Sequence, residues 1–479
     1  MANESIIIIG AGIAGLSAGC YSQMNGYRTR IFEMGTNPGG LCTSWKRKGY
    51  TIDGCIHWLV GSSPGNNFYR IWEELGAVQG RHMVNHDEYL RVEGDDDKVF
   101  IVYSDINRLE QHMKELAPED KDVIEEFIKA LHRTADFDVP LEWAGISLQD
   151  FAQRFTNPFL REALGEALLM AFGYNPDLPM LGILMTLAFL HLRMAGYPLG
   201  GSLEFAQAIE RRYLDLGGEI YYKSPVTKIM VENDRAVGVR LADGTEYRSD
   251  IIISAADGRT TIFDMLDGKY ISDEIRGYYD QLSVLSPLIF ISLGVARSFE
   301  EIPPSVAGLY YLLDEPVTIS GREWRWLPVH IYNFDPSLAP AGRTLVTVML
   351  ASDYEYWKKL KQGPERYKAE KEQIADKVIA LLDRRFPGFA AQVEMRDVAT
   401  PMTFERFTGN WQGSYMGWLM TPKTLGIQIG TTLPGLENFY MAGQWVRVGG
   451  GLPPAAMSGR DVTQIICERD NRPFIAMVP

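Results

Sequence analysis

Cysteine and histidine are scarce in this chain, at four and seven of 479 residues. Cys20, Cys42, Cys55 and Cys467 form no C-x-x-C pair and gather no histidine at metal-ligand spacing. That leaves no basis for a metal centre or a disulfide framework, and it fits a reduced, cytoplasmic setting. Basic residues are outnumbered, 47 against 61 acidic ones, giving a formal charge of −14. Such a balance repels a polyphosphate backbone and argues against nucleic-acid binding. No basic region or cleavage site precedes the apolar run at Ile6, so the sequence predicts no export. The greasiest stretch, Leu178 to Ala195, is interrupted by Pro179, His191 and Arg193. It reads as a buried or pocket-lining helix rather than a membrane span, with a shallow dip into one leaflet left open as peripheral membrane contact. Ser-His-Asp order and paired carboxylates are missing too.

Hydrophobic residues make up 46% and aromatics 11% of the sequence, enough to bury a large core, and the length predicts two intertwined domains. Ile6 to Ile9 reads as a buried parallel strand, and Gly10-Ala11-Gly12-Ile13-Ala14-Gly15 follows at once. A helix over 16–25 comes next. Gly10 permits the tight turn, Gly12 lets a pyrophosphate approach the backbone, and Gly15 lets helix pack on strand, with the phosphates on the positive helix end. A second strand, Arg28 to Phe32, ends at Glu33, placed to bind ribose hydroxyls. Together these form a Rossmann unit with Gly10, Gly12, Ile13, Ala14, Gly15, Glu33 and Met34 as the first cofactor contacts.

A second glycine turn, Asn37-Pro38-Gly39-Gly40-Leu41, resembles the extension by which flavin amine-oxidase-type proteins wrap the FAD pyrophosphate. With the run Gly49-Tyr50-Thr51-Ile52-Asp53-Gly54-Cys55-Ile56-His57, the sequence resembles the phytoene desaturase, carotenoid isomerase and retinol saturase group of FAD oxidoreductases. The block Tyr197 to Ile229, followed by a hairpin at Asp243-Gly244, is similar to that group's return to the cofactor domain, where the backbone near Val226 meets adenine. The closing stretch Asn438 to Gly443, then Gly449 to Gly459, is similar to the group's last motif. It places Gly443, Gln444, Gly451, Leu452, Pro453 and Ala455 on the cofactor, with a helix starting at Ala455. One departure is Gln444, where the group commonly has an acid.

The resemblance implies an α/β architecture: a Rossmann-type FAD-binding domain interleaved with an α+β substrate domain. The expected FAD-binding parts are residues 1–75, 197–285 and 421–479. The substrate parts are 76–196, mainly helical, and 286–420, sheet and helices. The cofactor implied is FAD, and the substrate a lipophilic small molecule whose C–C or C=C bonds are desaturated or saturated. A non-redox double-bond isomerase using reduced FAD stays open, as does a flavin amine oxidase; the electron donor or acceptor is not specified. His57 is the candidate proton donor. Trp45, Trp58, Trp411 and Tyr415 are candidate pocket walls.

Overall fold

The computed structural model describes residues 4–479 apart from Gln428, with the backbone alone at Val306. Five strands distant in sequence form one parallel sheet in the order Glu219–Tyr221, Arg28–Phe32, Ser5–Ile9, Ile251–Ser254 and Phe439–Met441. The central strands, Ile6–Ile9 and Ile251–Ile253, are buried on both faces, as helix-covered parallel strands must be. Ile6 and Ile8 pack with Leu16, Phe205 and Val462 from the helices Ile13–Met24, Gly201–Asp215 and Leu452–Arg469. Ile7, Ile9 and Phe32 face the antiparallel sheet of Val226–Glu232, Arg235–Leu241 and Glu246–Arg248. The first and last segments of the chain therefore share one core.

A second sheet has seven strands: Val393–Ala399, Leu288–Val295, Thr344–Ala351, Arg322–Ile331, Ser305–Ile319, Glu88–Glu93 and Val99–Tyr103, in that order. One face, with Ile289, Ile291, Leu293, Val346, Val348 and Leu350, joins a large core with residues of Lys121–Ala135, Met180–His191 and Pro364–Arg385. The alternate residues Phe290 and Leu345 pack instead with Tyr50 and Ile52. These belong to the hairpin Ser44–Arg47 and Tyr50–Asp53 that follows the second glycine turn. Tyr50 lies so close to Gly294 that a β-carbon there would fall 2.6 Å from its ring. That glycine sets how nearly the hairpin approaches the sheet.

Three sequence expectations shift. The segment 76–196, expected to be mainly helical, also supplies the hairpin of Glu88–Glu93 and Val99–Tyr103, whose first strand pairs with Ser305–Ile319, a long-range contact no local pattern announces. The first helix begins at Ile13 rather than Leu16, so Gly15 lies inside it. The closing helix begins at Leu452 rather than Ala455, because proline is suited to the first turn, where no amide hydrogen is needed. The stretch Leu178 to Ala195 is the helix Met180–His191 and its flanks, and only Arg193 in it is fully exposed. No helix among the described residues is long and apolar enough to cross a membrane.

Candidate cofactor and substrate site

Gly10 takes φ +95°, a conformation side chains disfavour, and its amide donates to the Phe32 carbonyl at 2.8 Å. A β-carbon at Gly15 would lie 2.0 Å from the Gly10 carbonyl oxygen, so the helix can sit this close to the turn only with glycine there. A β-carbon at Gly12 would meet no atom within 4 Å. Gly12 therefore borders open space at the N-terminus of a helix, where backbone amides and the helix dipole favour an anion. The second glycine turn closes on this spot: Gly39 N donates to Ala11 O at 2.8 Å, and a β-carbon at Gly40 would be 3.4 Å from Gly12 Cα. Leu41 follows, half-buried.

Glu33 is buried, and its carboxylate accepts from Ala11 N at 2.7 Å and Gly35 N at 2.6 Å. It staples the glycine loop to the end of the second strand. Ser224 N donates to Glu33 O, which brings the chain leading into buried Val226 alongside this loop. Met34 stays 44% exposed at the rim. From the other side Gly443, at φ +105°, donates its amide to Ser458 Oγ, and a β-carbon there would touch only the Ala14 methyl at 3.6 Å. Next to it Gln444 Nε2 and Trp445 Nε1 are buried without a hydrogen-bond partner. The helix starting at Leu452, with Pro453 and Ala455 in its first turn, presents a second N-terminus capped by Gly451. Two glycine-lined gaps, two helix N-termini and orphaned donors suit a dinucleotide with a pyrophosphate centre.

Beyond Asp53 the chain runs to His57, whose ring centroid lies 4.5 Å from that of His330 on the seven-stranded sheet. Burial lowers His57 to a pKa of about 4 and holds His330 well below its usual value, so both rings are neutral at neutral pH. Trp45 stacks edge-on against Phe290 at 6.0 Å and donates its indole to Asp397. Trp58 packs on Tyr89 and Phe172, and Tyr415 reaches the adjoining Gly173. Trp411 lies apart from these, among Tyr279, Trp418 and Trp445, with its amide on Asp257. The structure thus brings Trp45 and His57 to one sheet face, sets Trp58 and Tyr415 around residues 172–173, and leaves Trp411 half-buried against the core of the cofactor domain.

The profile of the flavin containing amine oxidoreductase family matches residues 13–467. The chain belongs to that family. Its cofactor is FAD, and it is an FAD-dependent enzyme with the α/β fold of this superfamily. Prolycopene isomerase from Arabidopsis thaliana is 27% identical over 493 residues, 95% of this chain and 81% of that protein. Lycopene-forming phytoene desaturase from Pseudescherichia vulneris is 22% identical over 97% of this chain and 99% of its own. An oxidoreductase structure from Methanosarcina mazei superposes with a TM-score of 0.68 at 18% identity, covering 96% of this chain and 100% of that one.

Within this flavoenzyme, sequence reasoning missed the buried acid that holds the site together. Asp53 accepts from Ser202 N, Ser44 Oγ and Tyr197 OH, tying the hairpin to the start of helix Gly201–Asp215. Burial raises its pKa, and these donors pull it back. It sat in the motif that was read, but two of its partners, Ser202 and Tyr197, lie 149 and 144 residues away in sequence, where only the fold could join them. His330 was missed for the same reason: a lone histidine in a strand carries no signal until His57 faces it.

Proposed function

We propose that this enzyme desaturates or saturates C–C bonds of a lipophilic alkene or polyene. The observation that carries this reading is the uncharged His57–His330 pair on a sheet face that also carries Phe290, Leu345, Met349 and Tyr332. FAD, when bound, supplies the two-electron exchange with carbon. The protein's part is to orient an apolar chain, keep water out and handle a proton. His57, neutral and at the end of the cofactor-wrapping segment, accepts that proton at its unprotonated ring nitrogen. The carboxylates nearest this face, Asp53 and Asp397, are held by protein donors, which disfavours an ammonium substrate. A second reading, double-bond isomerisation without net redox change, is supported by the likeness to prolycopene isomerase.

The test is anaerobic reduction followed by a screen of polyenes, retinoids and unsaturated fatty acids for return of the oxidised flavin spectrum, with amines added in parallel to the oxidised enzyme and read for its bleaching. Alkenes are expected to reoxidise it, and His57→Ala to slow that step by roughly 100-fold or more. Rearranged product with the flavin still reduced selects the isomerase reading. Reduction of the oxidised enzyme by amines, with no response to alkenes, overturns both.

Peripheral membrane contact belongs with a lipophilic substrate, and its best support lies outside Leu178 to Ala195. Phe137, Val139 and Leu141 are exposed by 60%, 40% and 71% on one loop. The chain just beyond that loop pairs with the start of helix Met180–His191 through Met180 N on Ile146 O. Flotation with neutral liposomes is expected for the wild-type protein and lost in a Phe137→Ser, Leu141→Ser double variant. Equal flotation of the two would remove the loop from this role.

A further inference from the structure

The hairpin Ser44–Arg47 and Tyr50–Asp53 has a cysteine on either side, Cys42 before it and Cys55 after it. Its outermost ladder pair is Ser44 opposite Asp53, and the pairing runs one step further, because Gly54 N donates to Thr43 O at 3.0 Å. Cys42 and Cys55 are the next residues outward on the two arms. Side chains alternate along a strand, so both thiols share the face of Ser44 and Asp53. That face meets the start of helix Gly201–Asp215. Cys42 Sγ donates to Ser202 O at 3.4 Å, Ser202 N donates to Asp53, and the amide of Ile56, next to Cys55, donates to Ser202 Oγ at 2.8 Å. Opposed residues of an antiparallel pair have α-carbons about 4.5–5.5 Å apart, inside the span that a disulfide bridges.

Both are free thiols, and they differ in exposure. Cys42 is buried in the core of the cofactor domain, whereas Cys55 is half-buried at the margin of that core. Burial, and after it the Cys55 thiol at interacting distance, holds the Cys42 thiol well above its usual value. Cys42 is thus a protonated thiol beside a neighbour that solvent reaches. Their place along the chain matters as much. Cys42 directly follows Gly39-Gly40-Leu41, the turn that closes on Gly12, and Cys55 stands two residues before His57.

We propose that Cys42 and Cys55 form a reversible disulfide that locks the cofactor-wrapping turn. This is a modification site, and it does not depend on which substrate the enzyme takes. The oxidant is a low-molecular-weight disulfide. The Cys55 thiolate attacks one of its sulfurs, which forms a mixed disulfide and releases one small thiol. Cys42 then attacks the Cys55 sulfur, and its proton leaves with the second small thiol. Two protein thiols and one external disulfide become one protein disulfide and two external thiols, and a dithiol reductant reverses the exchange. In a reducing compartment a disulfide of this kind is transient and regulatory. The turn Gly39-Gly40-Leu41 closes on the space beside Gly12 where the pyrophosphate binds, so its lifting opens the way out for FAD. A bond from Cys42 to the far arm of the hairpin closes the loop 42–55 and restrains that lifting.

The experiment treats the FAD-loaded enzyme with glutathione disulfide, removes the reagent, and reads free thiols, intact mass and the rate at which free-flavin fluorescence appears on dilution. Two of the four thiols are expected to disappear with no glutathione retained, a digest is expected to yield one peptide pair joining Cys42 to Cys55, and dithiothreitol should restore all four. The oxidised form should release FAD at least ~10-fold more slowly than the reduced form. Cys42→Ser should stop at a glutathione adduct on Cys55. Cys55→Ser should keep its remaining thiols and release FAD at one rate with or without the reagent, because the buried Cys42 thiol alone is out of the reagent's reach. Four free thiols after treatment of the wild type, a glutathione adduct that persists on its Cys55, or a bridge to Cys20 or Cys467 would each overturn the pairing. Equal FAD release by the oxidised and reduced wild type would overturn the lock, and this comparison needs no variant to fold.

Discussion

Gly12→Val is expected to give a folded but colourless protein. A β-carbon at residue 12 meets no protein atom within 4 Å, and Gly12 has φ −65°, which any residue adopts, so the substitution costs the apoprotein little. The same open space is where the pyrophosphate must meet the amides at the start of helix Ile13–Met24. Two added methyl groups there displace the phosphates from those donors. The loss in FAD affinity should exceed about 100-fold, on the order of 3 kcal/mol. Visible flavin absorbance after reconstitution, with circular dichroism as a folding control, measures it; a stoichiometrically yellow variant would sink the assignment of Gly12. Gly15→Val makes the contrast, because its β-carbon would fall 2.0 Å from the Gly10 carbonyl oxygen and so damages the fold itself.

The second large effect belongs to Gly459, 444 residues further along the chain but packed on the same helix. A β-carbon there would lie 2.4 Å from Ala14 O and 2.7 Å from Ala18 N, both backbone atoms that cannot swing aside. Around this contact Ser17 Oγ donates to Ala456 O at 2.7 Å, and Ser22 pairs with Thr463. The helices Ile13–Met24 and Leu452–Arg469 are therefore joined at close range by small residues. Gly459→Val must push them apart, at a cost of about 3 kcal/mol or more. FAD retention should fall with stability, because Ser458, the next residue, holds the Gly443 amide. A denaturant midpoint matching wild type would show that the helices tolerate the separation and that the closing helix is not held as described.

Much of the cofactor half was legible because its determinants are local. A buried strand, a turn needing positive φ at Gly10, a helix start and an acid at Glu33 lie within about thirty residues, and each leaves its own residue type in the sequence. The strand Leu288–Val295 is marked by an apolar run broken only by Ser292 and Gly294. Harder to read were Glu88–Glu93 and Val99–Tyr103, a short hairpin around an acidic turn whose first strand joins the sheet through a partner more than 200 residues away. Trp411 shows the limit of reading by residue type. An aromatic ring suits a substrate wall or a protein core equally, and half-buried Trp411 packs against Trp418 and Trp445, away from the other three candidate wall residues.

The sequence by itself determined the family and the FAD cofactor, because the glycine turns, first strand and helix start that mark them are built from near neighbours. The tertiary structure alone decided what faces the chemistry. It set His57 against His330 and gave Asp53 its partners near residue 200. The physical reason is that burial and cross-strand register are properties of contacts between distant segments. The same serine or histidine is a solvated surface group or an unsatisfied buried one depending only on what the fold places beside it.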